Sequence, residues 1–217
     1  MRFIKSKGKI RFYLTIKKIF CILQLETQFC NKMLDINNSV FIIIDLQERL
    51  LKSVKNNNII VKNANSMLKG CGVLNIPAII TEQYPNGLGH TDECILLQAL
   101  TQQAKIIEKT TFSIMQTPAI KEYFLSLKKK QVIICGVETH ICVLQSVIDL
   151  LNDGYEVFVI DEASSSYSDT DHKTAIEYMK TIGAKIWTIE MLLFDFVQSS
   201  KHKDFKEIQN IVKAKRV

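Results

Sequence analysis

The chain has 217 residues, of which 47% are hydrophobic and 23% charged, so it is long enough for one sizeable core and too apolar for a disordered coil. Eight glycines and three prolines exclude collagen-like and Pro/Gly-rich classes. The formal net charge of +6 comes from the start of the chain, because residues 1–32 carry eight basic residues against Glu26 alone. That segment contributes +7 and leaves residues 33–217 at −1, which argues against a nucleic-acid-binding surface on the folded part.

The six cysteines form no C-x-x-C pair, which favours free thiols in a reducing compartment over a disulfide framework. No apolar run approaches the roughly 18 residues of a membrane-spanning helix. The longest candidate is the seven-residue stretch Ile19–Leu25. We therefore expect a cytoplasmic protein with neither a membrane nor a nucleic acid as partner.

Residues 1–32 allow three interpretations: an organelle-targeting segment, a weak signal peptide, or a start codon assigned too early. The third is favoured, because a segment without caps or turn signals precedes a sharp strand signal just after Met33. We expect residues 1–32 to be a basic extension outside the fold. Residues 33–217 then form one domain that includes the C-terminal helices.

From Ser39 onward, short apolar runs alternate with longer stretches of three-to-four periodicity. The runs are too short for buried helices and predict buried parallel strands. They are Val40–Ile44, Pro77–Thr81, Ile106–Ile107, Val132–Cys135, Val157–Ile160 and Lys185–Ile189.

The periodic stretches between these runs predict helices that cover the sheet. Gly72, Gly154 and Gly183 are expected to end three of them with positive φ, and one or two terminal helices are expected after Met191. The alternation predicts a three-layer α/β/α fold with a mostly parallel sheet of about six strands. Its ligand site is expected at the carboxyl ends of the strands.

Three side chains suited to catalysis follow predicted strand ends. Asp45 follows the first strand, Lys109 follows the third, and Cys142 lies in the first turn of the helix after the fourth. An ammonium and a helix N-terminus stabilise a thiolate, and a carboxylate can take its proton. Taken singly, Asp45 also suits a helix cap, Lys109 a solvated edge charge and Cys142 a small core residue. Together they predict an activated nucleophile.

Four segments resemble, in order and spacing, the signature segments of the isochorismatase-like cysteine hydrolase family. They are Val40–Gln47 (VFIIIDLQ), Lys109–Ser113 (KTTFS), Gly136–Val143 (GVETHICV) and Asp161–Ser164 (DEAS). The loop Thr81–Thr91 (TEQYPNGLGHT) is similar to that of the isochorismatase-domain-containing branch. The resemblance extends over residues 39–197. It implies the isochorismatase-like hydrolase fold.

The resemblance also implies a catalytic triad, with Asp45 as general base, Lys109 as stabiliser of the thiolate and transition state, and Cys142 as nucleophile. It further implies a non-proline cis peptide at Val137–Glu138. This peptide would aim the backbone N–H groups of Glu138 and Cys142 as an oxyanion hole.

Metal and cofactor signals are absent from the sequence. Nicotinamidases of this family carry an Asp-x-His metal site, and the corresponding segment Thr81–Pro85 has none. Glu82 and His90 alone make a weak ligand set, so we expect no metal and no cofactor. No Gly-x-Gly-x-x-Gly motif opens a helix after a strand, which disfavours a dehydrogenase. His140 is expected on the helix surface or in the pocket wall.

The trio predicts a hydrolase whose thiolate attacks a small amide-type substrate to form a thioester, which water then hydrolyses. Gln83, Tyr84 and Phe112 are candidate substrate contacts, because they lie in loops at the strand ends. Two alternatives remain open: a non-catalytic binding or scaffold protein that keeps this fold, and a nicotinamidase-like amidase without the usual metal. A homo-oligomer is expected from the flat strand edges and apolar terminal helices.

Overall fold

A computed structural model describes residues 34–216, and the expectations for residues 1–32 lie outside that range. Six strands form one sheet in the order β3-β2-β1-β4-β5-β6, and every neighbouring pair is parallel. The strands are β1 Ser39–Ile44, β2 Ala78–Gln83, β3 Lys105–Lys109, β4 Gln131–Val137, β5 Glu156–Ser165 and β6 Lys185–Trp187. The predicted parallel sheet of six strands is therefore confirmed.

Two strand boundaries differ from their predicted positions. β5 continues to Ser165 beyond polar residues, because a register shift opposite Ile134 and Gly136 lets it keep pairing with β4. β6 stops at Trp187, since the Thr188 side chain accepts a hydrogen bond from the Met191 N–H and caps the next helix.

Nine α-helices lie within residues 34–216: α1 Glu48–Ser53, α2 Asn57–Val73, α3 Pro85–Leu88, α4 Glu93–Thr101, α5 Pro118–Ser126, α6 Leu144–Asn152, α7 Asp169–Thr181, α8 Ile189–Val197 and α9 Phe205–Arg216. Short 3₁₀ segments occur at Ile36–Asn38 and Ile114–Gln116, and a π-helical turn at Thr139–Val143 precedes α6. None of these helices is long and apolar enough to cross a membrane.

The helices cover both faces of the sheet. α2, α4, α8 and α9 pack on the face that includes Phe41 and Ile43, whereas α5, α6 and α7 pack on the face that includes Ile42 and Ile44. All six residues of β1 are buried, as expected for a central strand with helices on both sides. The three-layer α/β/α prediction is confirmed.

Two of the three predicted helix-ending glycines have positive φ, Gly154 at 78° and Gly183 at 108°. The third prediction is wrong, because Gly72 lies inside α2, which ends at Val73. The chain reverses instead at Asn75, whose φ is 56°. Asparagine tolerates the left-handed region better than most residues, so it can take over the role of glycine.

The strand order places a crevice at the carboxyl end of the sheet. Successive strands run outward on one side from β1 through β2 to β3, and on the other from β4 to β6. Ligands of open parallel sheets bind where the order reverses in this way. Asp45 follows β1 and the turn that contains Cys142 follows β4, so both border this switch point.

Candidate active site

Asp45 is fully buried directly after β1, in a left-handed conformation with φ of 53°. Its Oδ1 accepts a hydrogen bond from Thr81 Oγ1 at 2.6 Å, and its Oδ2 lies 2.6 Å from Lys109 Nζ. The alternative interpretation of Asp45 as a helix cap is wrong, because α1 begins at Glu48 and Gln47 occupies its N-cap position. The two carboxylate oxygens instead face side chains of β2 and β3.

Lys109 ends β3 and is only 3% exposed, so its interpretation as a solvated edge charge is wrong. Its ammonium donates to Asp45 Oδ2 and Gln83 Oε1, each at 2.6 Å, and to the Thr111 carbonyl oxygen at 3.3 Å. A lysine ammonium has three N–H donors. Acceptors within the protein therefore occupy all three donors of Lys109.

Cys142 lies in the π-helical turn Thr139–Val143 and is 6% exposed. This position differs from the expected first turn of an α-helix, which begins only at Leu144. Ser146 secures the turn: its hydroxyl donates to the Cys142 carbonyl oxygen at 2.6 Å and accepts from the Ile114 N–H at 3.1 Å. The peptide Val137–Glu138, at the end of β4, is cis.

The electrostatics of the trio differ from those expected. Burial raises the pKa of Asp45, although Lys109, Thr81 and Cys142 partly oppose the shift. Burial also raises the pKa of the Cys142 thiol to about 12, and the Asp45 charge adds to the rise while Lys109 opposes it. The Lys109 charge is balanced by Asp45 beside it, so it cannot offset the loss of water around sulfur. Burial therefore favours the protonated form of the Cys142 thiol.

The three residues predicted as substrate contacts lie at the end of β2 and in the segments after β2 and β3. Gln83 uses both ends of its amide within the protein, since Nε2 donates to the Thr110 carbonyl oxygen at 2.9 Å. Tyr84 and Phe112 are 57% and 51% exposed. A cleft of about 310 Å³ beside Lys109 is lined by Tyr84, Pro85, Asn86, Glu108, Thr110 and Thr117. Tyr84 thus faces open space next to the ion pair.

Three contributors to the site escaped the sequence reasoning. Thr81 holds one Asp45 oxygen, Thr111 offers its carbonyl to Lys109, and Gln47 hydrogen-bonds the backbone of Gln83. All three residues lie in segments that resemble the family, Thr81 in TEQYPNGLGHT, Gln47 in VFIIIDLQ and Thr111 in KTTFS. Two sequence signals could have indicated these residues. Thr81 is a polar residue near the end of an apolar strand, and Gln47 lies two residues after the candidate base Asp45.

Comparison with known proteins agrees with the fold. A sequence model of the isochorismatase domain matches residues 39–191. The chain belongs to the isochorismatase family. Isochorismatase family protein 1A of Dictyostelium discoideum is 38% identical, over 83% of this chain and 88% of that protein. Isochorismatase domain-containing protein 2 of Danio rerio is 37% identical, over 82% of this chain and 89% of that protein.

Solved structures give the same result for the isochorismatase fold. A Caenorhabditis elegans protein described as MAR1 ribonuclease superposes with a TM-score of 0.79 at 36% identity, covering 84% of this chain and 93% of that one. The Escherichia coli YcaC product, described as an octameric hydrolase of unknown specificity, superposes with a TM-score of 0.74 at 21% identity, covering 85% and 96%. At that identity the likeness shows the fold alone.

The two metal candidates from the sequence, Glu82 and His90, lie next to each other. Glu82 is buried and accepts hydrogen bonds from the N–H and the hydroxyl of Thr91, and its second oxygen lies 3.1 Å from His90 Nδ1. Within residues 34–216, no group of three or more His, Cys, Asp or Glu side chains is arranged to hold a metal ion. His140 is partly exposed and its Nδ1 lies 3.0 Å from Ser166 Oγ.

Proposed function

We propose that this isochorismatase family member is a cysteine hydrolase of small amide-type substrates, with Cys142 as nucleophile and Asp45 as general base. The observation that carries the proposal is a thiol lying against a fully buried Lys109–Asp45 ion pair at the switch point of a parallel sheet. Desolvating two charges is unfavourable, and a buried ion pair is weak support for stability. Its position beside a cysteine therefore favours a chemical role.

The proposed reaction begins with a proton transfer. As the Cys142 Sγ–carbon bond forms, the thiol proton passes to Asp45, whose raised pKa makes it a better proton acceptor than a solvated carboxylate. The carbonyl oxygen becomes an oxyanion, which the backbone N–H groups of Glu138 and Cys142 bind. The Lys109 ammonium balances the single negative charge of the cluster, which the proton transfer moves from Asp45 toward the substrate.

Collapse of this intermediate breaks the carbon–nitrogen bond. The leaving amine or ammonia takes the proton from Asp45, and the acyl group stays on Cys142 as a thioester. Water then attacks the thioester with Asp45 as base, and the carboxylic acid leaves as the thiol regains its proton. Tyr84 and Phe112 contact the substrate from the loops after β2 and β3.

The bond type follows from the nucleophile and the charges. Hydrolysis of the vinyl ether of isochorismate does not require a thiol, whereas amide hydrolysis through a thioester does. RNA, the substrate class in the name of the C. elegans relative, carries a phosphate backbone that proteins bind with available cations. All three donors of Lys109 are engaged, and residues 33–217 carry a formal charge of −1. A small uncharged amide suits this site better.

The test is a mass-spectrometric screen of the full chain against small amides, nicotinamide and a short RNA. Ammonia release and mass added to the protein are measured. Cys142→Ala removes the proposed nucleophile, and Cys94→Ala is the matched control because Cys94 is an exposed free cysteine. We expect turnover or a trapped acyl adduct that Cys142→Ala abolishes and Cys94→Ala preserves. A Cys142 that is inert to every amide and no more reactive than Cys94 would favour the binding-protein alternative.

We further propose that the protein works in the cytoplasm as a homo-oligomer, without a bound cofactor. The cysteines within residues 34–216 are free thiols, which suits a reducing compartment. Leu97 and Leu100 on α4 are 60% and 66% exposed, which supports an apolar contact surface between subunits.

A further inference from the structure

Gln83 is a neutral side chain that accepts a hydrogen bond from the Lys109 ammonium. Its Oε1 lies 2.6 Å from Lys109 Nζ, as close as Asp45 Oδ2. The third acceptor, the Thr111 carbonyl oxygen, is more distant at 3.3 Å. Gln83 Nε2 donates to the Thr110 carbonyl oxygen, so the amide spans the end of β2 and the loop after β3. Both polar ends of this side chain are engaged by the protein itself.

Gln47 holds Gln83 in place through its backbone. The fully buried Gln47 amide accepts from the Gln83 N–H at 2.7 Å and donates to the Gln83 carbonyl oxygen at 3.1 Å. The same Nε2 donates to the Gly89 carbonyl oxygen at 2.6 Å, which ties both ends of the loop that contains α3. Gln47 lies two residues after Asp45, so one short segment contains both the proposed base and the residue that holds the Gln83 backbone.

We infer that Gln83 is a positioning residue for Lys109, held in turn by Gln47, and not a substrate contact. A lysine side chain has four rotatable methylenes and needs several acceptors to fix its ammonium. A neutral acceptor at Gln83 directs the ammonium toward Asp45 and Cys142 without adding a charge. A carboxylate there would compete with Asp45 for Lys109 and raise the proton affinity of the base.

The first test uses iodoacetamide on the full chain, with the rate of adduct formation at Cys142 followed by peptide mass spectrometry between pH 4 and pH 10. This readout rests on the proposed nucleophile. We expect Gln83→Met to slow the reaction about tenfold, because Lys109 no longer stabilises the developing thiolate. Gln83→Glu should move the acidic limb of the profile upward by about one unit. Gln116→Met is the matched control, since Gln116 is exposed and its amide donates to Asp149, away from Lys109.

A double variant tests the link to Gln47. If Gln47 acts through Gln83, Gln47→Leu with Gln83→Met reacts no more slowly than Gln83→Met alone. If the double variant is slowed by the product of the two single-variant factors, Gln47 acts independently of Gln83. A Gln83→Met protein with the wild-type rate and profile would overturn the inference.

A second readout does not depend on reactivity. The ¹⁵N-detected ammonium signal of Lys109 should exchange slowly with water in the wild type, because all of its protons are bonded and buried. We expect faster exchange in Gln83→Met and no change in Gln116→Met. An inert Cys142 with this exchange difference would refute the proposed function alone. Equal exchange in wild type and Gln83→Met would refute the positioning role.

Discussion

At the residue scale, Asp45, Lys109 and Cys142 are coupled and cannot be described one at a time. Burial raises the pKa of the Cys142 thiol, and the nearby cation is already paired with Asp45, so the protonated thiol is favoured over a preformed thiolate. In the proposed mechanism, the ion pair supplies a base that is buried, partly neutralised and hydrogen-bonded by Thr81. Reactivity in such a site depends on moving a proton over a short distance during attack.

The pH dependence of Cys142 alkylation distinguishes a preformed thiolate from a thiol that passes its proton to Asp45 during attack. The wild type should show an acidic limb with a midpoint above about 3.9, the ordinary Asp pKa, because burial raises the pKa of Asp45. Asp45→Asn should lose that limb and react only as the thiol itself ionises at alkaline pH. It should also lose at least about a hundredfold in turnover. An unchanged limb in Asp45→Asn would assign it to another group.

Removing the cation tests the energetics of the pair. Lys109→Met leaves Asp45 buried without a partner, so unfolding in urea at pH 7 should show a loss of about 3–5 kcal/mol. The loss should shrink as the pH falls through the raised pKa of Asp45, because the protonated carboxyl needs no cation. Lys62→Met, on the exposed side of α2, is the control. A loss that does not change with pH would point to packing alone.

At the element scale, the site depends on how closely β1 and β4 approach at their carboxyl ends. Ile44 pairs with Gly136, and Gly136 has a φ of 129°. A Cβ atom at this glycine would overlap the Ile44 backbone carbonyl. β4 therefore needs glycine here, immediately before the cis peptide and the turn that contains Cys142.

Two alanine substitutions measure this close approach. Gly136→Ala combines an unfavourable φ with a backbone overlap, so it should lower the free energy of unfolding by more than about 3 kcal/mol and abolish Cys142 reactivity. Gly154 also has a positive φ, of 78°, but no atom lies within 4 Å of a Cβ added there. Gly154→Ala should cost about 1 kcal/mol and leave the thiol unaffected. Equal losses in thermal or urea unfolding would show that φ alone matters.

At the scale of the whole molecule, the first and last segments of residues 34–216 pack into the same hydrophobic core. Leu34 is 4% exposed, and its N–H donates to Asp195 Oδ2 at 2.7 Å. At the other end, α9 buries Ile208 and Val212, and Lys215 pairs with Glu162 at 2.6 Å. Both ends of this range thus contribute to one core.

Truncation tests the predicted domain boundary. Residues 33–217 should unfold at the same temperature as the full chain and keep Cys142 equally reactive. A fragment that starts at Ser39 should unfold at a lower temperature, because it lacks Leu34 and the Asp35 cap of the first 3₁₀ segment. A fragment 33–217 that fails to fold would place part of residues 1–32 inside the domain.

Light scattering of the purified chain tests the proposed homo-oligomer. We expect a mass that is a multiple of 24.8 kDa for the wild type. Leu97→Glu with Leu100→Glu should shift it toward one chain without changing the far-ultraviolet spectrum, because both side chains are exposed on α4. A monomeric wild type would contradict the proposal.

The amino-acid sequence by itself determined the number of strands, the alternation with helices and the identity of the three clustered residues. These follow from local physics: buried parallel strands are short apolar runs, covering helices repeat every three to four residues, and a polar residue at a strand end stands out against them. The resemblance in four ordered segments then placed the chain in a family that the comparison confirms.

Only the tertiary structure decided the direction of the pKa shifts at the site and the hydrogen-bond partners of its residues. The thiol pKa depends on burial and on a cation whose charge is already balanced, and neither quantity is encoded in sequence spacing. The sequence predicted Gln83 only as a substrate contact and gave Thr81 and Gln47 no role. Strand order brings Thr81 against Asp45 and Gln83 against Lys109, and Gln47 bonds the Gln83 backbone. Hydrogen bonds between residues distant in the chain depend on register and packing, which local patterns do not specify.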